Sequence, residues 1–279
     1  MGLSVLAFAI VWSQMSGNAF PPGDDPGNWL KRVNAVAGRT YPLWDETVLT
    51  YPPLFFMVCH AISTILGDSL TALKLAAALG FSAIPLTTFL LGRRVAGSPA
   101  AGLAAAWVVA FLPAHFEMLW WGAYPNLLAL ALMPIALLAL LKAQEGSLRY
   151  LCLAVVVGAL LLATHHLTSL VYVATLILAL LVSVVERNKK SIKTNLLILA
   201  VIVSLFVGYW HEAASAYVLQ NPLISGPGVF SIDFMFWLFK GPALLGLTVA
   251  IAIVGLVQLL VWRRVKEFTL ILGWLATSL

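Results

Sequence analysis

Three short clusters in this sequence hold residue types able to move protons or bind a metal: Asp24-Asp25, His115-Phe116-Glu117 and His165-His166. Asp24-Asp25 stand just before Pro26, a residue suited to the first position of a helix, so either carboxylate can cap that helix. Capping takes one carboxylate, which leaves the other for general-base work or for ligating a metal. His115 and Glu117 are two apart. On an extended turn such residues point the same way, so both could ligate one divalent cation. His165-His166 interrupt an apolar run, which is costly unless the pair borders water. His211-Glu212 repeats the pattern at a fourth corner. Each cluster has a plain structural alternative: a helix cap, an interfacial corner beside Trp120-Trp121, or a helix break with local hydrogen bonds. The set weighs more than its members, because four corners present a histidine, an acid or both at one level. Tyr51-Pro52-Pro53 is a stiff turn whose role would be shape. His60 reads as a packing histidine, and Lys74 as a cation that snorkels from its helix.

The elements that must position these groups are membrane helices. The chain has 279 residues, 62% hydrophobic and 10% charged, with mean hydropathy +0.98. A soluble domain is about 45–50% apolar and about 25% charged. Soluble and disordered classes are therefore excluded, and an all-α polytopic bundle of about eight or nine spans is expected. The charge-free stretch 1–20 lacks a basic leader and a cleavage site, so it reads as a first span, not a signal peptide. Residues 21–69 form a large first loop. In it, Trp29, Leu30, Val33, Val36 and Ala37 recur at helical spacing between Pro26 and Gly38, the pattern of a helix on the membrane surface. Leu54–Leu66 is apolar but too short to cross comfortably. Apolar stretches at 70–91, 99–113, 126–141, 150–163, 167–185, 196–209 and 243–262 follow, and a last one begins at 268. Cys59 and Cys152 give no disulfide framework and no metal spacing.

Charge sorts these spans. With Arg93-Arg94 placed inside and the helices alternating, the inside corners hold Arg93, Arg94, Lys142, Arg149, Arg187, Lys189, Lys190, Lys193, Arg263, Arg264 and Lys266. The inside acids are only Glu145, Glu186 and Glu267. All other acids, Asp24, Asp25, Asp45, Glu46, Asp68, Glu117, Glu212 and Asp233, fall outside together with the clusters above. The positive-inside rule counts Lys and Arg, so the acid asymmetry is independent support. The net charge of +5 thus reflects basic inner loops and not a nucleic-acid partner. The sorting also keeps Leu54–Leu66 from spanning, since a further crossing would turn the basic corners outward.

The order of features resembles the GT-C fold of integral membrane glycosyltransferases. That fold includes protein mannosyltransferases, aminoarabinose transferases and the catalytic subunit of oligosaccharyltransferase. The resemblance is carried by a first helix, a large loop with an acidic pair on a surface helix, the turn Tyr51-Pro52-Pro53-Leu54, a helix ending Leu91-Gly92-Arg93-Arg94 and an alanine-rich helix ending Leu112-Pro113. It covers residues 1–212. The chain is also similar to the membrane domains named as related to pyruvoyl-tetrahydropterin synthase. The GT-C resemblance implies an outer-face cavity of a prokaryotic plasma membrane. There a polyprenyl-phosphate-linked sugar meets a protein, lipid or glycan acceptor. It implies that Asp24 or Asp25 is the base or a metal ligand, and that His115 and Glu117 join it on a Mg or Mn ion. The pair here is Asp-Asp, where the mannosyltransferase branch has Asp-Glu. The acceptor-reading motif of oligosaccharyltransferases is absent.

Glycosyl transfer needs a base for the acceptor oxygen and an offset for charge on the departing phosphate. A divalent cation, Lys31, Arg39, Lys240 or a protonated His165, His166 or His211 could supply that offset. The chain divides into a module at 1–212 and a remainder at 213–279, which stops inside a helix, as a fragment would. A non-catalytic membrane scaffold and a transporter are the competing readings. The second is disfavoured by spans nearly free of charge in the middle and by the lack of a repeat.

Overall fold

The computed structural model of the chain describes residues 1–23, 25–38 and 51–220, plus Glu267 and Ile271; across 209–220 it describes the backbone. Among the described residues every regular element is a helix. In chain order they are α1 (Gly2–Gly17), α2 (Pro26–Val36), α3 (Leu54–Leu66), α4 (Ser69–Ala96), α5 (Pro99–Ala110), α6 (Pro113–Trp121), α7 (Tyr124–Gln144), α8 (Leu148–Thr164), α9 (His166–Val185) and α10 (Lys189–Gln220). Proline and glycine set most of these limits. Pro26, Pro99, Pro113 and Pro125 sit in first turns, where a missing N–H costs nothing. Gly67, Gly97 and Gly122 stop α3, α4 and α6 in the left-handed conformation.

Among the described residues four helices are long and apolar enough to cross a membrane: α4, α7, α9 and Lys189–Gly208 of α10. The pair α5–α6, bent by 40° at its break, would make a fifth. The expectation of eight or nine spans also counted the stretches at 243–262 and from 268, which lie outside the described residues, and α1 and α8, which have 16 and 17 residues. At about 1.5 Å per residue they reach about 25 Å, short of a hydrocarbon core of about 30 Å. At thirteen residues α3 is shorter still, in keeping with its reading as a helix that does not cross.

Small residues draw α4 and α5 together. A Cβ on Gly102 would lie 2.7 Å from the Phe89 carbonyl oxygen, so the backbones pack with nothing between them. Two apolar clusters result. One joins α1, α2, α3 and the first half of α4 to Leu119, Tyr124 and Leu127. The other joins α7, α8 and α9 to Leu91, Val95, Ile198 and Ile202.

Three of the turns read from charge as inside corners meet at one end; the corner at 263–266 lies outside the described residues. The Arg94 guanidinium pairs with the Glu145 carboxylate, and Lys190 Nζ donates to the Glu145 carbonyl at 2.5 Å. Beneath them Gln144 donates to Asn195 at 2.9 Å, and Asn195 donates to Ser183 at 3.0 Å. At the opposite end Lys74 Nζ donates to the Asn18 carbonyl at 2.6 Å, tying α4 to the end of α1. The cation there meets the negative end of the α1 dipole, a structural role.

Asp68 is likewise structural. Its carboxylate caps α4, accepting from Leu70 N at 3.0 Å and Thr71 N at 2.9 Å. The Thr71 side chain, then the Thr71 and Leu70 backbone, hold its carboxyl below the usual range. The folded value is the lower one. The stabilisation is therefore complete above the unfolded value of about 3.9 and is lost as pH falls through the folded value. Asp68→Ala is expected to cost about 0.5–2 kcal/mol and Asp68→Asn less. Thermal unfolding in detergent would show this; equal melting of Asp68→Ala and wild type refutes the cap.

Candidate functional site

The end opposite the basic corners is built by docking the first loop onto the corner between α6 and α7. Trp29 Nε1 donates to the Gly122 carbonyl at 2.5 Å. Tyr124 OH donates to the Pro22 carbonyl at 2.5 Å. The approach is so close that Cβ positions are excluded on both sides. On Gly122 (φ +82°) one would lie 2.7 Å from Pro26 Cδ and 3.5 Å from Asp25 Cβ. Asp25 is thereby held against the α6–α7 corner.

Pro26 is the first residue of α2 and Asp25 its cap, in agreement with the sequence. The cap works through backbone: Asn28 N and Trp29 N donate to the Asp25 carbonyl at 2.8 and 3.0 Å. The Asp25 side chain accepts no capping bond from the first turn.

An aromatic and cationic cluster joins α2 to Tyr51 and α3. Trp29, Tyr51 and Phe56 form a triangle with ring centroids 4.9, 5.6 and 5.8 Å apart. The Arg32 guanidinium carbon lies 5.5 Å from the Tyr51 centroid, 5.9 Å from Trp29 and 5.8 Å from Phe56. Three rings around one guanidinium orient it by cation–π attraction. Tyr51 also meets the break between α8 and α9: its ring is 5.5 Å from His166, edge-on, and 6.1 Å from His165. Burial raises the Tyr51 phenol above its ordinary range; Arg32 pulls it down and Asp25 pushes it up. The phenol is protonated at neutral pH, and both charged groups act on it at once. Tyr51 is thus more than the shape element that its Pro52-Pro53 turn suggested.

His165 ends α8 and caps α9. Its Nδ1 lies 2.9 Å from Thr168 Oγ1 and accepts from Thr168 N at 3.3 Å. Thr168 Oγ1 is 2.9 Å from the Asn126 amide oxygen, on α7. Burial first, then the neighbouring His166, lower the His165 pKa, so the imidazole is neutral at physiological pH.

Not every expected residue joins this group. His115-Phe116-Glu117 were read as an extended turn, but Pro113 starts a helix there and all three lie in α6. At about 100° per residue, positions two apart diverge by about 200°. His115 is buried, its Nδ1 2.8 Å from the Val109 carbonyl, whereas Glu117 is exposed. The implied cation does not fit this pair together with Asp25. Among the described residues no group of three metal-ligating side chains comes together. Lys31 is exposed on α2. Asp24, Arg39, Lys240 and the His211 and Glu212 side chains lie outside the described residues.

Arg32, Asn126 and Thr168 escaped the sequence reading. For Arg32 a signal existed: it stands three residues after Trp29, the spacing that places a cation and a ring on one helix face. Asn126 and Thr168 are 42 apart in sequence and carry no local mark.

Fold and site together define a polytopic helical membrane protein with a polar, mixed-charge site at one end of its bundle. The chain belongs to the 6-pyruvoyl-tetrahydropterin synthase related domain family, a family of membrane proteins whose model matches residues 49–278. The matched segment includes Tyr51, Asn126, His165 and His166; Asp25 and Arg32 precede it. Comparison with curated proteins yields no match.

Proposed function

We propose that this chain is a membrane glycosyltransferase with a GT-C-like architecture, moving a sugar from a polyprenyl-phosphate donor to an acceptor at the outer face of a prokaryotic plasma membrane. The observation that supports the reading is a carboxylate and a guanidinium, Asp25 and Arg32, that both act on one half-buried phenol at the end of the bundle opposite the basic corners. The two charges divide the work of the reaction. The acceptor hydroxyl oxygen attacks the anomeric carbon, and the new C–O bond forms as the bond from that carbon to the phosphate oxygen breaks. The electron pair leaves on the phosphate, and the hydroxyl proton passes to the Asp25 carboxylate. Arg32, oriented by its three rings, offsets the charge growing on the departing phosphate.

The test is transfer in proteoliposomes holding the full chain and a panel of polyprenyl-phosphate sugars. Arg32→Gln is expected to lower transfer about 10²–10³-fold, the cost of removing one donor from a developing anion. Absence of turnover with every donor, or full activity in Arg32→Gln, overturns the reading. Substrate flux in sealed vesicles without transfer would favour a transporter instead.

A further inference from the structure

His165 caps α9 with a ring nitrogen, and its partners settle which nitrogen carries the proton. The first N–H groups of a helix have no acceptor within it. Thr168 is the third residue of α9, and its N–H is directed at His165 Nδ1 at 3.3 Å. An Nδ1 that accepts this bond holds no proton, so in the neutral ring the proton is on Nε2. The same nitrogen lies 2.9 Å from Thr168 Oγ1, and with Nδ1 bare the hydroxyl must be the donor. The amide as placed turns its oxygen, an acceptor, toward Oγ1; a hydroxyl has one proton, so with that proton on the bond to Nδ1 Oγ1 must instead accept from Asn126. The two ends of an amide exchange by rotation. Turning this one costs only its 3.4 Å contact with Met118 Sδ and makes the amide nitrogen the donor. Every bond then runs one way: Asn126 to Thr168, Thr168 to Nδ1.

We propose that Asn126 and Thr168 are positioning residues that hold His165 in its Nε2–H tautomer, so that a neutral imidazole offers a hydrogen-bond donor beside Tyr51 and His166. The arrangement spans two breaks in the bundle, the start of α7 and the α8–α9 corner, and joins both to Tyr51 on the first loop. The service this donor performs rests on the transfer reading above: it meets an oxygen of the departing phosphate, as a neutral complement to Arg32. The tautomer itself does not rest on that reading.

Nitrogen NMR of histidine-labelled full-length protein in nanodiscs tests it, with His165 assigned by the loss of its signals in His165→Gln. Wild type is expected to show an unprotonated Nδ1 and a protonated Nε2 at neutral pH. Thr168→Val should mix the tautomers, and Thr168→Ser should restore the single one. A protonated Nδ1 in wild type, or a Thr168→Val spectrum like that of wild type, overturns the proposal. In the transfer assay Thr168→Val should lower kcat about tenfold with little change in KM, a partial loss of one donor's effect, and Thr168→Ser should recover it. The expected tautomer in a protein that transfers no sugar refutes the transfer reading and leaves the positioning role standing.

Discussion

Asp25→Asn is expected to lower sugar transfer by about 10²–10⁴-fold, the usual contribution of a positioned general base. The substitution keeps the shape of the side chain and removes its charge. Asn is as good a helix cap as Asp, and the cap at Asp25 runs through its backbone carbonyl. Folding is therefore expected to be nearly unchanged, and a lost rate reports chemistry. The effect should fall on kcat, because the proton moves in the transition state and not on binding. Transfer rates in proteoliposomes, with thermal melting as the check on folding, test it. An Asp25→Asn protein that folds and transfers at the wild-type rate removes the base from the scheme.

Gly23→Ala is expected to do more harm to the structure than any other single methyl group in the first loop. Gly23 has φ +113°, and its Cβ would meet the Trp121 carbonyl oxygen at 2.6 Å, with the Trp121 carbonyl carbon and the Gly122 nitrogen closer still. These are backbone atoms of the α6–α7 corner and have no rotamer to escape into. A side chain at such a φ costs about 1–2 kcal/mol, and overpacking adds about 1–3 kcal/mol. The loop can relieve both only by lifting off the corner, which breaks the bonds from Trp29 to Gly122 and from Tyr124 to Pro22. Asp25 and Arg32 then lose their place beside Tyr51. The variant should melt well below wild type, and any transfer activity should fall further than the unfolded fraction explains. Gly27→Ala is the control: a Cβ there meets nothing within 4 Å. In the first turn of α2 alanine should be neutral or stabilising by at most about 0.5–1 kcal/mol, the mid-helix figure. Equal melting of Gly23→Ala and Gly27→Ala would show that the close approach does not hold the loop.

Much of the frame is legible in the chain itself because its signals are local. Hydropathy marks the long spans, since hydrocarbon admits only apolar stretches with satisfied backbones. Pro26 and Gly67 mark helix limits through their own dihedral angles. Leu54–Leu66 declares its shortness by count. The sorting of lysine and arginine to alternate corners anticipates that Arg94, Glu145 and Lys190 meet at one end. The same local logic misleads at His115 and Glu117: it places Pro113 at the end of the preceding span, although a proline suits a first helical turn equally well and here opens α6.

What the sequence by itself determined, then, is the class of protein, the order of its long apolar helices, and which residues gather at the basic end. Only the tertiary structure decided which polar groups share a site. Arg32 reaches Tyr51 and Phe56, Tyr51 reaches His165, and Thr168 reaches Asn126 because separate helices pack on one another. Contacts between distant segments follow from how ridges, glycines and bends fit, a property of the whole bundle that no local window of residues contains.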